Sequence, residues 1–143
     1  MHPTMIRSAV VGFACALAVV AAGPVKAEVV NLKATLNACS EVPPTSSKGT
    51  GTVTATYDTA SKKLSWKGSY SDLTGPATAA HFHSAAPGQN GPVAVPITPN
   101  TSPFEGSATL TDAQAADLLE GKWYVNVHTA ANKGGEIRGQ VTK

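Results

Sequence analysis

Ala79-Ala80-His81-Phe82-His83-Ser84 is an apolar segment carrying two histidines two positions apart, followed by the turn-rich run Pro87-Gly88-Gln89-Asn90-Gly91-Pro92. Side chains alternate along a strand, so both imidazoles leave one face while Ala80 and Phe82 enter a core on the other. A second segment answers it: Trp123-Tyr124-Val125-Asn126-Val127-His128-Thr129. Here Trp123, Val125 and Val127 share the apolar face, and Tyr124, Asn126 and His128 share the opposite one. Two such segments, each apolar on one side, predict half-buried strands of one β domain.

Working outward, strand patterns recur at short intervals with turn residues between them. Val30, Leu32, Ala34 and Leu36 alternate with polar residues until Glu41-Val42-Pro43-Pro44, where proline ends the ladder. Thr52, Thr54 and Thr56 alternate with Val53, Ala55 and Tyr57, and Leu64, Trp66, Gly68 and Tyr70 share a face. Val93 to Ile97 reads as an edge strand because of Pro96. Phe104 to Leu110 reads as another strand. Thr111 and Gln114 form a capping box for one short helix, and Gly121 stops it. Lys122 to Thr129 and Glu136 to Thr142 form a hairpin. A symmetric loop there places Glu136 opposite His128 and Arg138 opposite Asn126. About eight strands, one helix and no βαβ spacing predict an all-β fold: an antiparallel Greek-key β-sandwich, immunoglobulin- or superoxide-dismutase-like.

The N-terminus is read separately. Arg7 precedes an apolar run over residues 8–22, and Gly23-Pro24-Val25-Lys26-Ala27 breaks it with a small-x-small ending. This predicts a signal peptide over residues 1–27, cleaved after Ala27, and a domain over residues 28–143 that is periplasmic or secreted. The run is about 15 residues, short of the roughly 18–20 that span a bilayer, so no membrane insertion is expected once it is removed. Removing Arg7 and Lys26 from 11 basic residues leaves nine, against nine acidic ones. That balance excludes a basic surface for nucleic acid. Cys15 also leaves, so Cys39 has no internal disulfide partner and reads as a small buried hydrophobe.

Three blocks carry a family pattern. They are Glu41-Val42-Pro43-Pro44, then His81-Phe82-His83 with Gly88-x-Asn90-Gly91-Pro92, then residues 124–129 with Gly134-Gly135-Glu136-Ile137-Arg138-Gly139-Gln140. Together they resemble the CHRD domain, the module named after chordin and found in single copies in secreted bacterial proteins. Ser84-Ala85-Ala86 departs from the pattern, where a glycine is expected sooner. The resemblance implies a secreted β-sandwich and no established enzymatic activity. The histidine arrangement also looks like that of copper/zinc superoxide dismutase. However, that enzyme uses more histidines and a disulfide than this chain retains, so a full dinuclear site is excluded.

His81, His83 and His128 are the candidate metal ligands, because imidazole suits copper and zinc and three ligands leave one position open. Asn126, Glu136 and Arg138 are expected around them, with Glu136 orienting an imidazole. A competing reading makes the same residues a hydrogen-bonded cluster that pins loops. A blue-copper carrier is disfavoured, since the chain beyond residue 27 has no methionine. Serine hydrolysis lacks a Gly-x-Ser-x-Gly elbow. The function expected is therefore a non-enzymatic binding or interaction module with a copper or zinc site and an unknown protein or metal partner. The alternatives are a mononuclear copper oxidoreductase and a purely structural or adhesive domain.

Overall fold

The computed structural model describes residues 21–24 and 26–143. Arg7, Cys15, Val25 and most of the expected leader's apolar run lie outside the described residues. Among the described residues, no helix is long and apolar enough to cross a membrane.

Among the described residues, eight strands form in chain order: β1 Val29–Asn37, β2 Thr50–Asp58, β3 Lys63–Ser71, β4 Ala77–Ser84, β5 Val93–Pro96, β6 Phe104–Thr109, β7 Trp123–Thr129 and β8 Ile137–Gln140. A 3-10 turn, Ala38–Ser40, follows β1, and a helix, α1 Asp112–Leu119, precedes β7. Every pairing between strands is antiparallel. The all-β expectation holds, with its eight strands and short helix. The two layers of the expected sandwich are joined, however, into one sheet of order β5-β4-β7-β8-β1-β2-β3-β6. The joint is narrow: Asn37 pairs with Arg138, and Lys33 bridges to Thr142.

This sheet curls until its ends face each other, nearly closing a barrel. Trp66 of β3 and Phe82 of β4 are far apart in strand order, yet their rings meet edge-on at 5.2 Å. Phe82 also meets Trp123 at 5.9 Å. The inner face of every long strand feeds this core, including Leu36, Val53, Leu64, Val125, Val127 and Ile137. Burying such side chains stabilises by about 1.5–3 kcal/mol each.

The helix forms as its caps predict. The Thr111 hydroxyl accepts from the Gln114 N–H, and the Gln114 side chain accepts from the Thr111 N–H. Ala115 and Leu118 are buried, and Gly121 turns the chain at φ +75°. The Gln114 amide donates to Ala94 O, and Asp117 accepts from the Ser84 hydroxyl, so the helix seats on β4 and β5. Cys39 is a correction: it is exposed. It lies in the 3-10 turn after β1, where Ala38 takes the inward position.

Candidate metal centre

β4 and β7 are adjacent and antiparallel, with His81 opposite Asn126, His83 opposite Tyr124 and Ala79 opposite His128. That register puts all three histidines on the outer face of one strand pair. The outcome is convergence: one ring atom from each of His81, His83 and His128 lies within 4.8 Å of the others. His81 Nδ1 and His128 Nε2 are 3.1 Å apart.

Backbone carbonyls assign the tautomers, since a carbonyl only accepts. His83 Nδ1 donates to Gly91 O at 2.9 Å, and His128 Nδ1 donates to Lys133 O at 2.8 Å. Each neutral ring therefore keeps a lone pair on Nε2, and His81 Nδ1 is left to face that of His128. Fixing one ring nitrogen so that the other is free to ligate is how metal-binding histidines are commonly held. Burial, then the charges of His128 and His83, lower the His81 pKa below its usual 6.5. Burial also lowers that of His83, although the Gly91 carbonyl and Asn126 work the other way. Neutral imidazole is the form a metal requires.

The surroundings were partly expected. Asn126 is buried on the same face, opposite Arg138 as the hairpin register predicts. Arg138 is buried too, and it reaches the histidines through intermediaries. Its guanidinium lies 3.4 Å from the Tyr124 ring centroid, and Tyr124 stacks on His83 with centroids 4.7 Å apart and planes parallel to 1°. Its Nη1 donates to Asn90 Oδ1 and its Nη2 to Gln89 O, holding the loop that presents Gly91 O to His83.

Glu136 is the correction. It does not orient an imidazole. The β7–β8 ladder ends at Val127 and Ile137, and the chain bends at Glu136. Its carboxylate accepts from Ser47 Oγ, Thr74 N, Thr129 Oγ1, Asn132 Nδ2 and the Thr74 hydroxyl. Burial would raise this carboxyl, but these donors, Thr74 first, hold it below its usual value of 4.5. Loop pinning, the role in the competing reading, is shared: Glu136 and Arg138 tie several loops, and His83 and His128 each bond a loop carbonyl while clustering with His81.

Two contributors escaped the sequence reading. Tyr124 was placed on the polar face without a role. Glu41 was read as part of a strand break and of the family pattern, with no role at the site, yet it is buried within this layer. A concavity of about 710 Å³ lies elsewhere, over the outer face of β1, β2, β3 and β6, lined by hydroxyls and Lys67, Glu105 and Lys63.

Comparison with known proteins adds one match. The family model for the CHRD domain matches residues 32–141, from β1 to just beyond β8. No curated protein and no solved structure matches the chain.

Proposed function

The chain belongs to the CHRD domain family, and from that premise we propose that it is a periplasmic or secreted module that binds one copper or zinc ion through His81, His83 and His128, without catalysing a reaction. One observation carries the reading: three ring atoms within 4.8 Å, two of the rings held at Nδ1 by backbone carbonyls so that each keeps its lone pair on Nε2. Zn–N bonds of about 2.0–2.1 Å need such nitrogens drawn together by small rotations. The groups around the rings, Tyr124, Gly91 O and Lys133 O, hold them in place, which suits an ion-holding role. The leader pattern over residues 1–27 supports export.

A mononuclear copper oxidoreductase is the second reading. It is favoured by the partial exposure of His81 and His128, which leaves the fourth position open to a small ligand.

Calorimetric titration of purified protein with Zn²⁺ or Cu²⁺ tests the site. One equivalent is expected to bind, and His128→Ala is expected to weaken binding at least 100-fold, since a ligand is lost outright. Equal affinity in wild type and His128→Ala would end the metal reading and leave a structural or adhesive domain. Metal-dependent turnover of superoxide, lost in His128→Ala, would establish the oxidoreductase instead.

A further inference from the structure

Five buried side-chain atoms among the described residues have no hydrogen-bond partner, and three of them belong to one row: Glu41 Oε1, Asn126 Oδ1 and His83 Nε2. Leaving a buried polar atom without a partner is costly, so three neighbours left open call for a common explanation. The row is contiguous. Glu41 Oε1 and Asn126 Nδ2 flank the same space over Gly135, where an added Cβ would strike both. Gly135 has φ +127°, a conformation suited to glycine, so the chain keeps this space clear. At its other end Asn126, opposite His81 across the β4–β7 pair, lies diagonal to His83 on the same outer face.

We propose that Glu41 is a positioning residue for His83: it holds the Asn126 amide so that Oδ1, and not the NH2 group, faces the imidazole. This rests on the three-histidine reading above. An amide has one donating and one accepting end. An ionised carboxylate only accepts, so Glu41 draws Nδ2 toward itself, and Gly134 O at 3.5 Å draws the same group. Burial raises the Glu41 pKa, while the Val42 N–H, Arg138 and Asn126 each favour the ionised carboxylate. Oδ1 is thereby turned away from Glu41.

His83 Nδ1 already donates to Gly91 O, so the neutral ring has only a lone pair on Nε2. Oδ1 cannot donate to it. With the amide reversed, the NH2 group would donate to Nε2 and cap the lone pair a metal needs. The incoming ion would then have to break that hydrogen bond. Glu41 keeps the lone pair open by presenting no donor to Asn126.

Glu41→Gln tests this at pH 8. Glutamine replaces one carboxylate oxygen by an NH2 group, and at the Oε1 position over Gly135 that group repels Asn126 Nδ2. In metal-free protein, the ¹⁵N resonance of His83 Nε2 is expected to move upfield as it accepts a hydrogen bond from the reversed amide. Zn²⁺ affinity is expected to fall about 10–100-fold. Adding Asn126→Asp, which has no NH2 group to offer, should restore both. An unmoved Nε2 resonance in folded Glu41→Gln, or an affinity loss that Asn126→Asp does not restore, overturns the proposal. A measurement on wild type needs no variant: the Asn126 NH2 protons should show NOEs to Gly135 Hα, and NOEs to the His83 ring instead would overturn it. If wild type binds no Zn²⁺, the metal reading fails, and the NMR results still decide the amide orientation.

Discussion

The outer faces of β2 and β7 belong to one sheet and have opposite surroundings. On β2, Thr50, Thr52, Thr54 and Thr56 are all exposed, alternating with buried residues. On β7, Tyr124 and Asn126 are as buried as the core residues between them, and only His128 is partly exposed. The difference lies in the loops. Those after β1, after β4 and after β7 fold over β7 and β8, while nothing among the described residues covers β2. On the bare face, water satisfies each hydroxyl. On the covered face, every polar group must find a partner within the protein. Glu136 and Arg138 meet that demand with hydrogen bonds to several loops. The unmet remainder on this face gathers beside the histidines, and the other two unpartnered atoms are the indole nitrogens of Trp66 and Trp123 in the core. The buried side chains of this layer are satisfied everywhere except in the row Glu41, Asn126 and His83.

Glu136→Ala is the strongest way to break this contrast. It leaves the donors of Ser47, Thr74, Thr129 and Asn132 facing a void, and three loops lose their shared anchor. A loss of about 3 kcal/mol is expected, since unsatisfied buried donors cost about 1–3 kcal/mol each and the loops can partly relax to water. Urea unfolding measures it. A loss below about 1 kcal/mol would mean that the covered face stands without this carboxylate.

How much of this could be read beforehand follows the same division. Period-two alternation made β2 legible, because one side meets water and the other the core. It also placed His81, His83 and His128 on outward faces. The hairpin register, with Arg138 opposite Asn126, followed from loop symmetry. The covering layer was not legible, because its bonds link residues far apart in sequence, such as Arg138 with Asn90. Glu136 was misplaced because alternation presumes the ladder continues, and the chain bends one residue before it begins. Nor does any local pattern announce that one residue pair and one bridge join two layers into a single sheet.

Acid gives a milder way to loosen the covered face. The folded pKa values of His81 and His83 are lowered from 6.5, so below that pH the unfolded chain binds more protons than the native one. Their contribution to stability is full above about 6.5 and is lost as pH falls through the lowered native values. Glu136, lowered from 4.5, adds a loss of the same sign at more acid pH. Glu41 opposes them. Its pKa is raised by burial, so its ionisation costs stability as pH rises above 4.5 and its protonation returns some on acidification. The urea midpoint of metal-free protein should therefore fall from pH 7 to pH 5, and the fall should flatten in His81→Ala/His83→Ala. A wild-type midpoint constant over that range would contradict the neutral, desolvated imidazoles.

The smallest effect is expected on the bare face, and it sharpens the comparison by its size. Thr54 lies between Lys33 of β1 and Lys67 of β3, with its side chain exposed. Thr54→Ala removes no buried hydrogen bond and opens no cavity. What it loses is the strand preference of a β-branched residue and the contact of its methyl group with the stems of its neighbours. The expected change is within about 0.5 kcal/mol, as for surface substitutions generally, with the metal affinity of the histidine site unaltered. Urea unfolding and a Zn²⁺ titration on the same preparation measure both. A stability loss above about 1 kcal/mol would show that the threonine rows carry packing of their own. The contrast between a solvated face and a built one would then fail at its simpler end.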